Sequence, residues 1–186
     1  MRTPKGKSYC SDLAQLNQYL KQIKFIPCPH CGLTGCLIGH GFVRGYSESG
    51  QAQVVRGRRF FCSNRYRKRG CGHTFSLLLA RVMRRFTVCA NTLWHYLQSV
   101  ADGFNKKAAW QQSQRGFSVQ TGYRLLRRFE RSQTHIRTLL CRVRPPPDSD
   151  SQQPLTQLVQ HFKAAFTSDS CPLESFQLQF QRPLLG

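Results

Sequence analysis

A chain of 186 residues with 28 Lys/Arg against 8 Asp/Glu carries a formal charge of +20 and a sequence pI near 10.4. Such a surplus repels itself unless a polyanion neutralises it, so nucleic acid is expected before an acidic protein or a membrane surface. The length suits one modest domain or two small ones, and no run of about 18 apolar residues exists to span a bilayer.

Charge is unevenly spread. Residues 1–144 hold 26 Lys/Arg and 4 Asp/Glu, a balance of +22, while residues 145–186 hold 2 and 4, a balance of −2. Arginine outnumbers lysine 20 to 8, which favours bidentate contacts to phosphate and guanine. Nine cysteines, an odd number, without a signal-peptide core in Met1 to Ser8, point to a reducing cytoplasm rather than a disulfide framework.

Residues 1–25 read as an N-terminal arm and helix. The arm, 1–9, is polar and basic. Ser11 or Asp12 can cap a helix from Leu13 to Lys24, with Leu13, Leu16, Leu20 and Ile23 on one face. This helix is expected to pack on the cysteine-bearing segment after it.

Residues 26–80 are organised by Cys28-Pro29-His30-Cys31-Gly32, Cys62 and Cys71-Gly72-His73. Two local thiolate pairs far apart in sequence suit a tetrahedral zinc site, and the glycines after Cys31 and Cys71 suit sharp ligand turns. The expected ligands of Zn2+ are Cys28, Cys31, Cys62 and Cys71. The first pair has the usual two-residue spacing, whereas the eight residues inside the second must bulge. Cys-Pro-His-Cys also occurs in oxidising thiol oxidoreductases, but these need a long helix directly after it. Here Gly32, Thr34, Gly35, Gly39 and Gly41 come next, which are poor helix formers. Buried free cysteines would explain neither the local spacing nor the paired Cys-Gly.

Leu37 to Tyr46 and Gln51 to Cys62 read as strands joined by a turn at 46–50, with a third strand from Thr74 to Leu79. These predict a small antiparallel zinc ribbon. Its inter-cysteine loop carries Arg65, Arg67, Lys68 and Arg69, and Arg56, Arg58 and Arg59 lie on the strand before it. The set is read as phosphate-contacting, with a merely solvated charged loop as the alternative.

Residues 86–144 turn helical. Thr87 or Asn91 can cap a helix through Leu93, Trp94, Leu97 and Val100, ended by Gly103. Asn105 can cap a second, Lys106 to Gln114, and Ser118 a third with Val119, Leu126, Phe129, Ile136, Leu140 and Val143 at helical spacing. A short helix, a glycine-bearing turn and a capped helix suggest a helix-turn-helix. Gln120, Thr121, Arg124, Arg127, Arg128 and Arg131 would form its reading face. Gly122 stands where a core aliphatic is usual, and a basic bundle with no reading role is the alternative. Residues 145–154 are a proline-rich linker. In 155–186, Leu155, Leu158, Val159, Phe162 and Phe166 mark an amphipathic helix, and Phe176, Leu178 and Phe180 alternate as a strand or packing tail would. The fold class is thus α+β, the ribbon followed by a helix-turn-helix-like helical bundle.

Residues 26–144 resemble the zinc-ribbon plus helix-turn-helix region at the N-termini of bacterial insertion-sequence transposases, also found as small stand-alone proteins. Cys28-Pro29-His30-Cys31-Gly32, Arg58-Arg59-Phe60-Phe61-Cys62, Cys71-Gly72-His73-Thr74-Phe75 and the helices after them carry the resemblance. It implies binding of double-stranded DNA at element ends, in a nucleoid-associated setting, with cleavage left to a separate acidic-triad domain. A transposase subunit or a second copy is the implied protein partner. The wide second cysteine spacing departs from the commoner form and leaves His73 as an alternative ligand. Only eight acids are present, and Asp148 and Asp150 lie in the linker, so no carboxylate set for paired metals is legible. The expectation is a non-enzymatic accessory or regulator of a mobile element. An RNA- or ribosome-associated zinc-ribbon protein, or the DNA-binding fragment of a split transposase, stands as the alternative.

Overall fold

The computed structural model describes residues 7–50, 52–113, 116–167 and 169–185. Among these it is α+β, with one four-stranded mixed sheet and six α-helices. It divides into two compact units between Val82 and Met83.

In the first unit β1 (Tyr9–Cys10), β2 (Leu37–Tyr46), β3 (Gln53–Cys62) and β4 (Thr74–Leu79) form a sheet of order β1-β4-β3-β2. The β2–β3 hairpin turns at Gly50, whose φ of +73° lies in the left-handed region. At Gly57 a β-carbon would stand 2.3 Å from the Leu77 carbonyl oxygen, so glycine lets β4 close onto β3. The expected antiparallel sheet gains a parallel strand, because β1 pairs Tyr9 with Leu78 and Cys10 with Leu79. The expected loose arm is therefore corrected at its end: Tyr9 is 2% exposed, and β1 shields the free edge of β4. Two residues are too short to show a strand pattern in sequence. Residues 1–6 of the arm lie outside the described residues.

α1 (Leu13–Lys21) is capped by Asp12, which accepts a hydrogen bond from Gln15 N at 2.7 Å. Leu16 is fully buried, and with Tyr19 and Leu20 it packs on Phe60, Leu77 and Leu79. Two details of the expected face change. Leu13 is 45% exposed, and Ile23 lies beyond the helix in a 3-10 turn, Ile23–Phe25. Ile23 still packs against this core, and Tyr19 joins it, edge-on to Phe60 at 5.3 Å.

The second unit comprises α2 (Ala90–Ala101), α3 (Lys106–Ser113), α4 (Val119–Leu140), α5 (Pro154–Ala165) and α6 (Pro172–Phe180). Cys89, not Thr87 or Asn91, caps α2 by accepting from Thr92 N. Asn105 caps α3 as expected, accepting from Lys107 N at 2.9 Å. Leu93, Trp110, Leu126, Phe129 and Ile136 share one core with Leu158, Phe162, Leu173 and Phe176. The helical unit thus includes the C-terminal segment rather than ending at residue 144. The linker is strapped back by Arg137, which donates to the Pro154 carbonyl at 2.7 Å, and by Arg144, which donates to that of Ala164 at 3.2 Å.

The segment expected at Phe176, Leu178 and Phe180 as a strand or packing tail is a helix that packs into the core, so the strand alternative is corrected. Pro172 opens α6, and Leu173, Phe176 and Phe180 recur at three and four residues, which puts them on one helical face. The two-residue alternation of the same aromatics hid that longer period.

Candidate metal centre and basic surfaces

Both cysteine turns are built on the same hydrogen bonds. In the first, Cys28 N donates to Leu33 O at 2.9 Å and Gly32 N to Cys28 O at 2.8 Å. In the second, Cys62 N donates to His73 O and Gly72 N to Cys62 O, each at 2.9 Å. Gly32 and Gly72 take matching φ values of +77° and +72°. The second turn is therefore the first with residues 63–70 inserted in place of Pro29-His30. Gly70 N donates to Ser63 O at 3.0 Å and pinches the insertion at its base, where a β-carbon would stand 2.3 Å from the Ser63 oxygen. This pinch is how a spacing of eight is absorbed without moving Cys71 away from Cys62.

The four sulfurs all lie within 4.8 Å of one another, with Cys28 Sγ 3.8 Å from Cys71 Sγ and Cys31 Sγ 3.7 Å from Cys62 Sγ. Thiolates about 2.3 Å from one tetrahedral ion stand about 3.8 Å apart along each edge. The residues present fit a single four-coordinate metal ion such as zinc. Backbone N–H groups are already aimed at sulfur, from His30 to Cys28 Sγ at 3.4 Å and from Cys71 to Cys62 Sγ at 3.3 Å. Such donors stabilise thiolates, and the Leu33 amide lowers the Cys31 thiol to about 7. Burial pushes the Cys62 thiol up to about 12 and raises that of Cys71. A bound cation reverses this order, because a coordinating thiol is deprotonated outright. His73 stands outside the sulfur group: it is exposed, stacks on His30 at 4.9 Å and meets the Cys71 carbonyl at 3.1 Å.

The inserted loop projects its cations outward. Arg65, Arg67, Lys68 and Arg69 are all exposed, and Tyr66 at the tip is 95% exposed. Tyr66 and Arg67 both adopt positive φ, 52° and 63°, which fits a tight bend held at its base. The three strand arginines do not join this loop as one surface. Arg59 is exposed, but Arg58 is half-buried on the opposite face of β3, its guanidinium 4.6 Å from the Phe42 ring centre. Arg56 is half-buried against Gly45, and burial lowers its pKa. Arg58 and Arg56 are thus less exposed than Arg59 and the loop cations.

On α4 the expected face is largely present. Gln120, Arg124, Arg127, Arg128 and Arg131 are exposed, while Leu125, Leu126 and Phe129 are buried. Thr121 is the exception, half-buried with its hydroxyl 3.3 Å from that of Ser118 at the helix start. Arg128 leans over the Phe86 ring at 5.1 Å. Tyr123, 44% exposed, joins this surface, and sequence reasoning missed it because an aromatic at helical spacing reads as core. Ser63 and Gly70 were missed as well; no ligand pattern includes the residues that close an insertion.

Comparison of the chain with protein-family models, with curated proteins and with solved structures finds no match. Among the described residues, no helix is long and apolar enough to cross a membrane.

Proposed function

We propose that this chain is a zinc-dependent binder of double-stranded DNA, an accessory or regulator of a mobile genetic element. The observation that carries the reading is the exposed stripe Gln120, Arg124, Arg127 and Arg131 at the start and middle of a helix whose other side is core. The first turns of a second helix are the part that reaches base edges in a helix-turn-helix. Arginine there suits guanine, and glutamine suits adenine.

Zinc is the proposed ion because four thiolates at tetrahedral spacing favour it, and they leave no open position to activate water. Cys28, Cys31, Cys62 and Cys71 would hold it, and its role is structural: it joins the two turns and fixes the base of the cationic loop. That loop, with no regular backbone to enter a groove, serves as a phosphate grip. Sequencing the genomic duplex fragments retained by the zinc-loaded protein tests the reading. Fragments sharing a short motif that Arg124→Ala no longer enriches would support it. Retention without any shared motif, or a preference for structured RNA over duplex DNA, would overturn it.

A further inference from the structure

The sheet of the first unit has two faces, and α1 covers one, through Leu16, Tyr19 and Leu20 on Phe60, Leu77 and Leu79. Strand register places Ile38, Phe61, Thr74, Arg59 and Ser76 on the other, because Ile38 pairs with Phe61, Phe61 with Thr74, and Arg59 with Ser76. Neither hydrophobic cluster of this unit includes Phe61 or Ile38, and Ile38 is 38% exposed. The Phe61 ring is bracketed by basic side chains. His40, on the bulge between Gly39 and Phe42, lies 6.0 Å away centre to centre, and the Arg65 guanidinium sits 6.0 Å over the ring. Arg59 is exposed one strand pleat away. From Ser49 to Ala101 the chain contains no Asp or Glu, so nothing acidic nearby in sequence competes for these cations.

We propose that this face is a base-stacking platform for unpaired DNA, with Phe61 as the stacking ring and Arg59 and Arg65 as backbone contacts. The inference rests on the DNA reading above and adds to it. Bases inside a duplex stack on one another and offer only their edges, so a half-buried ring on a sheet face can take up only a base that has left the duplex. An aromatic flanked by cations is the arrangement that holds such strands, largely without regard to sequence. The occupant we assign is therefore single-stranded DNA, melted or tailed beside the duplex gripped by the rest of the chain.

The test uses the metal-loaded full chain and three labelled probes: a short oligothymidylate, the matching oligouridylate and a blunt duplex. Phe61→Leu keeps apolar volume but removes the π-face, whereas Phe61→Tyr keeps both. We expect Phe61→Leu to retain metal content, melting temperature and blunt-duplex affinity while binding oligothymidylate roughly 5- to 150-fold more weakly. Phe61→Tyr should bind it as the parent does. Should Phe61→Leu unfold, Arg59→Gln in an intact protein decides instead, with several-fold weaker oligothymidylate binding expected. Unchanged oligothymidylate affinity in folded Phe61→Leu (or in Arg59→Gln where Phe61→Leu unfolds), or tighter binding of oligouridylate than of oligothymidylate, overturns the platform. Absence of blunt-duplex binding by the parent sinks the duplex reading alone, since the oligothymidylate comparison still decides this one.

Discussion

A β-carbon on Gly122 would stand 2.6 Å from Cδ2 and 2.7 Å from Cγ of Trp110. Trp110 is fully buried, edge-on to Tyr96 at 5.1 Å, and its indole N–H donates to Phe117 O at 3.4 Å. The ring cannot retreat, so the missing side chain at 122 is what lets α4 lie against α3. Alanine elsewhere in a helix gains about 1 kcal/mol over glycine, whereas overpacking a rigid core costs ~1–3 kcal/mol. Gly122→Ala should therefore lower stability by about 1 kcal/mol despite its better helix propensity. Chemical denaturation measures this; a stabilised variant would mean that α3 and α4 lie further apart.

Metal removal should act on one unit. Both tryptophans, Trp94 and Trp110, lie in the core of the helical unit. Chelation or Cys71→Ser should abolish stoichiometric zinc and unfold the sheet unit, because metal binding and folding are coupled in such sites. Near-ultraviolet signals from the two indoles should persist. Unchanged melting of Cys71→Ser would show that no ion holds the turns together.

Zinc affinity should climb steeply with pH. Free cysteine thiols are protonated near neutrality in the unfolded metal-free unit, and in the folded unit burial raises Cys62 to about 12 and Cys71 as well. Binding must expel those protons, so affinity gains about tenfold per pH unit for each, or roughly 100-fold per unit above pH 7 from these two. The stabilisation from zinc is thus present at higher pH and lost as pH falls. Competition against a chromophoric chelator across this range measures the slope; a flat profile would exclude thiolate ligation.

The two basic surfaces should separate under mutation. Arg67→Ala on the inserted loop should weaken all duplexes alike and make the salt dependence shallower by about one unit of slope. Arg124→Ala on α4 should cost ~1–3 kcal/mol on a selected site and little on a scrambled one. Titrations of both variants on both duplexes decide it. Equal weakening by Arg124→Ala would make α4 a phosphate contact and the helical unit a basic bundle.

Salt should dominate the affinity itself. If six to ten phosphates are neutralised, binding should fall by roughly 10³ to 10⁵ between about 50 and 200 mM salt. Arg58→Ala should barely change that slope, since its guanidinium lies against Phe42. A drop equal to that of Arg67→Ala would place Arg58 on the binding surface after all.

Sequence by itself determined the parts of this protein that depend on local chemistry. Paired Cys-Gly turns named the four sulfurs that do converge, and the bounds of β2 and β4 follow from their turn and glycine signals. Net charge needs no fold at all. Which neighbours the chain brings from afar was decided only by tertiary structure. Arg58 and Arg59 are adjacent in sequence, yet pleating sends them to opposite faces, and which face is covered depends on where α1 docks. Tyr9 became a strand because β4 had a free edge, and the Ser63–Gly70 pinch exists only once both cysteine turns have closed. Gly122 looked like a gap in a hydrophobic stripe; the gap is filled by Trp110, twelve residues earlier on another helix. Spacing along one element can show that a face is apolar, but contact between elements determines what that face must accommodate.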